Sequence, residues 1–107
     1  MGINENTIKE IINRILSIAS PEKIILFGSS ATGQMTRDSD IDLLIVEKES
    51  ATARRKESVR YRSVLGGLGY PFDVIVISAE WFEESKGVIG GIAYPANKYG
   101  KLIYEAA

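Results

Sequence analysis

The sequence FGSSATGQMTRDSDIDLLIV, residues 27–46, determines how the rest of the chain is interpreted. It contains the pair Gly28-Ser29 and, after ten further residues, the triplet Asp40-Ile41-Asp42 at the start of an apolar run. Glycine lets the backbone approach a ligand closely, and the amides at a helix start bind phosphate. Carboxylate oxygens suit hard divalent metal ions. The spacing therefore predicts a phosphate-binding turn that faces a pair of metal-binding carboxylates.

The composition limits the chemistry that such a site can use. The chain has 107 residues, 45% of them hydrophobic and 25% charged, so we expect a single globular domain over residues 1–107. It contains no histidine and no cysteine, which excludes disulfides, thiolate metal sites and a histidine general base. Catalysis must then depend on carboxylates, lysine, hydroxyls or a hard metal ion.

The net charge and the apolar pattern limit the partners and the cellular location that we expect for the protein. The formal net charge is −1, so general affinity for nucleic acid is not expected, although a local basic stripe is compatible with it. No window approaches the roughly 18 apolar residues of a membrane helix, and no signal peptide is recognisable. We therefore expect a cytoplasmic protein without membrane contact.

Apolar periodicity predicts an alternating series of helices and strands. Residues 6–19 have the spacing of an amphipathic helix, and residues 50–68 form a second helical pattern closed by glycine and proline. Branched apolar runs predict strands at Lys23–Phe27, 40–47 and Phe72–Ser78. Beyond these, we expect a turn opening a short helix after Gly28, a short helix at Ala79–Ser85, and either a last helical turn or an edge strand within residues 98–105.

The placement of the acidic residues predicts how the strands are arranged. Asp40 and Asp42 are two apart on one strand and so share a face, and Asp73 lies near the start of the next. Gly28 ends the first strand and Asp40 begins the second, so they meet only if strands one and two are antiparallel. Asp40 and Asp73 both begin strands, so they meet only if strands two and three are parallel, which requires the helix between them as a crossover.

Three carboxylates at one point require a counter-charge. Two ionised acids about 5 Å apart repel each other by roughly 3 kcal/mol at an effective dielectric constant near 20. Arg37 is the only basic residue close in sequence, so we expect Mg²⁺ or Mn²⁺ to be held by Asp40, Asp42 and Asp73. Asp73 would either bind a second ion or accept a proton from an attacking hydroxyl. This set of residues is suited to phosphoryl or nucleotidyl transfer.

The spaced motif resembles the nucleotidyltransferase signature of the polymerase-β superfamily. Residues 28–46 are similar in particular to the minimal nucleotidyltransferases (MNT) that are paired with HEPN proteins in toxin–antitoxin modules. The resemblance continues through FDVIVIS, which carries Asp73, and through the ending YGKLIYE. It implies an α/β palm with a mixed sheet of three to five strands and helices mostly on one face. The family often has arginine or tyrosine after Gly-Ser and arginine before the next glycine, where this chain has Ser30 and Thr32.

The resemblance also implies an activity. It implies a Mg²⁺-dependent enzyme that transfers AMP from ATP to a tyrosine hydroxyl of a HEPN-type toxin, with Asp40, Asp42 and Asp73 as catalytic residues and Gly28 and Ser29 binding the nucleotide. Because 107 residues leave no room for an acceptor-binding domain, we expect a partner protein or a second copy to complete the site.

Other interpretations of the sequence stay open. The acids can be solvated residues at a strand start, and the basic residues of the second helix can be an ordinary solvated face or a docking surface. The chain can also be a non-catalytic antitoxin that neutralises its partner by binding. A nucleotidyltransferase acting on aminoglycosides or nucleic-acid ends is a third possibility, which the lack of a substrate domain disfavours.

Overall fold

The expected alternation of helices and strands is present in the computed structural model, which describes residues 3–28, 40–48 and 54–107. In chain order the elements are α1 (Glu5–Leu16), β1 (Lys23–Phe27), β2 (Ile41–Glu47), α2 (Arg54–Val64), β3 (Phe72–Ser78), α3 (Ala79–Ser85), α4 (Ala93–Tyr99) and β4 (Lys101–Glu105). The C-terminal segment is therefore a strand, preceded by a short helix that the sequence pattern did not predict. The expected turn after Gly28, with Ser29, Ser30, Thr32 and Arg37, lies outside the described residues.

Local signals in the sequence explain where the helices begin and end. The Asn4 side chain caps α1 by accepting a hydrogen bond from the Thr7 N–H at 2.8 Å. Helix α1 is shorter than the pattern suggested, because its last turn closes at Ser17 ahead of Pro21. The Ser78 hydroxyl caps α3 by accepting from the Trp81 N–H at 3.1 Å.

The four described strands form one mixed sheet in the order β3-β2-β1-β4. Strand β1 is antiparallel to both β2 and β4, and β2 is parallel to β3. The two strand relationships predicted from the acidic residues are thus confirmed. Helix α2 lies between the parallel strands in sequence and packs on β3, so it is the crossover that they require.

Side-chain alternation along the strands builds a core on each face of the sheet. On one face, the two longer helices, α1 and α2, bury a cluster that includes Ile11, Leu43 and Tyr61. On the other face, the two short helices, α3 and α4, cover a smaller cluster around Leu44 and Phe82. The described helices are thus divided two to each face, where the resemblance implied helices mostly on one face. Among the described helices none combines the length and apolarity needed to span a bilayer.

Candidate active site

The strand register places the predicted acidic residues at one corner of the sheet. Asp42 is the register partner of Asp73 on parallel β3, and Phe27 is its partner on antiparallel β1. Asp40 immediately precedes β2, and Gly28 immediately follows β1. Four of the five predicted site residues therefore come together where β1 ends and β2 and β3 begin.

The acids lie on the sheet face that the short helices cover. Along β2, the side chains at positions 42, 44 and 46 lie on one face of the sheet and those at 41, 43 and 45 lie on the other. Leu44 and Val46 belong to the cluster under α3 and α4, so Asp42 lies on that face. Asp73 shares its face with Ile75 and Ile77, which pack in the same cluster. Asp40 and Asp73 are exposed and Asp42 is half-buried. The polar corner is thus the open end of an otherwise apolar face.

Gly28 has two structural reasons to be glycine. Its φ is +70°, in the left-handed region that residues with a Cβ rarely adopt. A Cβ atom at this position would also overlap the Oδ2 atom of Asp42. Gly28, the residue directly after β1, therefore packs against the central carboxylate.

The electrostatic environment of Asp42 is unfavourable for its charge. Burial raises the pKa of the Asp42 carboxyl above its usual value, and the nearby carboxylates of Asp73 and Asp40 raise it further. None of the described basic residues forms an ion pair with these three acids. The corner therefore has concentrated negative charge without a counter-charge from the described part of the protein.

The donor chemistry of this corner fits a hard divalent cation. In the described part of the chain, no three acidic side chains converge as a ready-made ligand set. Mg²⁺ rarely needs one, since it is commonly held by one or two carboxylates together with substrate phosphates and water. Asp42 and Asp40 could supply those carboxylates, and the cation would relieve the repulsion that raises the pKa of Asp42.

Sequence reasoning missed a second acidic position on β2. Glu47, at the far end of the strand, accepts a hydrogen bond from the Tyr61 hydroxyl at 2.7 Å. Tyr61 is fully buried. No sequence signal connects the two residues, which are 14 apart and come together only when α2 packs on the sheet.

A groove beside Asp73 was also missed. It has a volume of about 520 Å³ and follows the outer edge of β3. Its lining includes Arg62, one of the basic residues noted in the sequence, and Trp81. Pairing order within a sheet decides which strand is at the edge, and the sequence alone does not determine that order.

Comparison with known proteins agrees with this geometry. The family model described as "Nucleotidyltransferase domain" matches residues 7–94. Two provisionally named protein adenylyltransferases of Methanocaldococcus jannaschii are similar over short stretches. One is 52% identical over 44 residues, which is 39% of this chain and 44% of the relative. The other is 42% identical over 38 residues, 36% of this chain and 38% of the relative. The matched segment thus spans less than half the length of either relative.

Solved structures share the fold at low identity. A provisionally assigned nucleotidyltransferase of Sulfolobus solfataricus has a TM-score of 0.63 at 23% identity, covering 94% of this chain and 78% of its own. A toxin–antitoxin complex with AMP-PNP gives 0.59 at 24%, covering 97% and 75%. The complex of a tri-AMPylated Shewanella oneidensis HEPN toxin with its MNT antitoxin gives 0.57 at 16%, covering 97% and 74%. Because the family model spans most of the chain, including the strands that carry all three aspartates, the protein belongs to the nucleotidyltransferase domain family.

Proposed function

We propose that this protein is a Mg²⁺-dependent nucleotidyltransferase that transfers AMP from ATP to a tyrosine hydroxyl on a HEPN-type toxin, and that it acts as an antitoxin by this modification. The observation that carries the proposal is the register that sets Asp42 opposite Asp73, with Gly28 packed against the Asp42 carboxylate. The concentration of uncompensated negative charge at this corner supports a site for a divalent ion and its nucleotide.

Each residue at the corner has a distinct role in this mechanism. Asp40 and Asp42 would hold the metal ion, which supplies charge neutralisation at the phosphates when it is bound. The backbone after Gly28, with the Ser29 hydroxyl, would bind the β- and γ-phosphates. The acceptor oxygen forms a bond to the α-phosphorus while the bond from that phosphorus to the pyrophosphate oxygen breaks. Asp73 would accept the proton that the hydroxyl loses, or help to hold a second ion.

Similar proteins support the choice of AMP and of a protein acceptor. The short curated matches carry the name protein adenylyltransferase. Two of the structures that share the fold are described as containing AMP-PNP and a tri-AMPylated HEPN toxin. The acceptor surface would then belong to the partner protein, or to a second copy of this chain.

The test uses ATP labelled in its α-phosphate, Mg²⁺ and a HEPN-type protein from the same genome. We expect the label to enter the partner, and ATP labelled in the γ-phosphate to leave it unlabelled. The variant Asp40→Asn/Asp42→Asn should bind the partner but transfer no AMP. Undiminished transfer by this variant would contradict the proposed site.

The same variant separates the enzyme from the non-catalytic alternative. If modification silences the partner, the variant should no longer neutralise its toxicity in cells. Full neutralisation by a variant that transfers no AMP would instead favour an antitoxin that acts by binding alone. Partner toxicity and label transfer should therefore be measured on the same set of variants.

A further inference from the structure

Strand β3 presents hydrogen-bonding groups at the edge of the sheet. No other described strand pairs with its outer side. In a parallel pair, alternate residues direct both backbone groups towards the neighbouring strand. The Ile41 N–H donates to the Pro71 carbonyl at 2.9 Å, so residues 71, 73, 75 and 77 face β2. The N–H and carbonyl groups of Val74 and Val76 must then point outwards.

One side-chain contact agrees with this assignment. The Ser58 hydroxyl, on α2, donates to the carbonyl of Val74 at 2.5 Å. That carbonyl is therefore directed away from β2 and already has a donor. The N–H groups of Val74 and Val76 and the carbonyl of Val76 remain on the same outer edge, where a further strand could pair with them.

The groove along this edge has the shape and lining that an extended chain requires. Its floor is the edge of β3 over residues 73–77, and its volume is about 520 Å³. At about 3.3 Å per residue, this edge matches a segment of about five residues. Two apolar side chains border it from opposite sheet faces: Val59 on α2 is 50% exposed and Trp81 on α3 is 39% exposed. Successive side chains of an added strand would alternate between these two walls.

The groove leads directly to the candidate catalytic corner. Asp73 is both the register partner of Asp42 and part of the groove lining. Arg62 lines the groove as well, is exposed, and has no ion-pair partner among the described residues. An occupant with apolar side chains at alternate positions and an acidic residue facing Arg62 would complement this surface.

We infer that the groove binds an extended segment of the acceptor protein, which adds to β3 as a further strand and directs its hydroxyl residue towards Asp73. This inference rests on the proposed function, because it assigns the acceptor-binding surface of that reaction. Main-chain pairing would provide affinity, and the alternate contacts with Val59 and Trp81 would provide specificity. The adenine base of ATP is the competing occupant, and the experiment separates the two.

The first experiment compares two substitutions at Val76. Val76→Pro removes the outward N–H without removing a bond to β2, because proline is tolerated where the N–H faces away from the sheet. Val76→Ala also loses core contacts but retains the N–H, so the difference between the variants measures that donor. For the HEPN-type acceptor in the absence of ATP, we expect the Kd of Val76→Pro to be about tenfold higher than that of Val76→Ala. Equal affinities in two folded variants would overturn the inference.

A second pair does not depend on how the strand tolerates proline. Val59→Glu introduces a charge into the groove wall, whereas Ile89→Glu introduces the same charge at an 80% exposed position outside the groove. We expect Val59→Glu to weaken acceptor binding about tenfold or more, since a carboxylate would be desolvated beside the added strand. Ile89→Glu should bind like the unsubstituted chain. Equal binding by the two variants would overturn the inference.

Two further outcomes would distinguish strand addition from nucleotide binding in the groove and from failure of the proposed function. If Val59→Glu raises the Kd for ATP and leaves acceptor binding unchanged, the groove holds the nucleotide and the inference is wrong. If the unsubstituted chain binds the acceptor through the groove but transfers no AMP, the proposed function fails and the strand-addition surface stands. Circular dichroism and thermal unfolding would show which variants are folded.

Discussion

Strand β2 carries two half-buried acidic residues whose environments are opposite. Asp42, at its start, lies against Gly28 and near Asp73 and Asp40, and none of these three acids has an ion-pair partner among the described residues. Glu47, at its end and on the other face, accepts a hydrogen bond from the buried Tyr61. Burial raises the pKa of both carboxyls. At Glu47 the Tyr61 hydrogen bond and the charge of Arg60 oppose the rise although Glu57 adds to it, whereas at Asp42 the like charges of Asp73 and Asp40 only add to it.

This difference separates a carboxylate that accepts a hydrogen bond from the core from one that faces other acids and has no ion-pair partner among the described residues. A half-buried carboxylate that accepts a hydrogen bond from a dedicated donor is a structural part of the core. An acid placed among other acids is costly to stability, and the usual reason for such an arrangement is a ligand that compensates the charge. The comparison predicts that the two ends of β2 respond differently to the same substitution.

The largest expected effect on activity comes from removing the charge of Asp42, and removing the charge of Glu47 is the matched control. Asp42→Asn should lower AMP transfer about a thousandfold, equivalent to about 4 kcal/mol of transition-state stabilisation. The matched variant Glu47→Gln should retain transfer, because it lies on the opposite face. Steady-state rates with the HEPN-type acceptor provide the measurement. Similar losses in both variants would mean that the two acids do not differ in role.

A smaller loss of activity is expected when the turn against Asp42 is disturbed. Gly28→Ala introduces a Cβ that overlaps the Asp42 carboxylate at a backbone φ of +70°. Displacing a metal-binding carboxylate should lower transfer about tenfold to a hundredfold. Gly67→Ala, at a φ of +87° but with nothing within 4 Å of the added Cβ, is the control for backbone strain alone. If both variants lose transfer equally, strain and not the contact with Asp42 is responsible.

At the other end of β2, stability should change and activity should not. Tyr61→Phe removes the hydroxyl that donates to Glu47 and leaves this half-buried carboxylate without its partner. The free energy of unfolding should fall by about 1–3 kcal/mol, as measured by denaturant titration. AMP transfer under native conditions should remain, since α2 places Tyr61 on the face opposite the aspartates. A loss of transfer in the folded variant would show that the two ends are coupled.

The smallest expected effect is on folding stability, which should depend on pH because the charge of Asp42 is unfavourable in the folded state. Because the folded-state pKa lies above the unfolded value, the folded state binds more protons between the two values, and stability falls as pH rises through that range. The penalty is fully present once the pH is above the raised pKa of Asp42, and there Asp42→Asn should be more stable than the unsubstituted chain. The difference should disappear as pH falls below the ordinary value of 3.8.

Magnesium provides the control for that pH experiment. Adding Mg²⁺ with ATP at pH 7 should stabilise the unsubstituted chain and not Asp42→Asn, because only the former retains the charged ligand. Thermal unfolding over a pH series, with and without Mg²⁺ and ATP, measures both effects. Equal stability of the two chains across the whole pH range would contradict the proposed electrostatic penalty.

The sequence predicted the convergence of the acids and Gly28 better than it predicted what surrounds them. Asp40, Asp42 and Gly28 lie close together along the chain, and side-chain alternation along a strand requires only that the strand forms. We predicted that β2 and β3 pair in parallel because only this pairing brings Asp73 to the other acids, and the structure confirms the pairing. The helix α4 was not predicted, because its short glycine-flanked sequence AYPANKY has little periodicity of its own.

The sequence by itself determined the alternation of helices and strands, the acids at the starts of β2 and β3, and the glycine directly after β1. These depend on local periodicity and spacing, which act over a few residues. Only the tertiary structure decided that β3 is at the edge of the four described strands beside a groove, and that Glu47 meets the Tyr61 hydroxyl while Asp42 meets Asp73 and Asp40. Those outcomes depend on which elements pack together across long separations in sequence. The same type of residue on one strand therefore has two different roles.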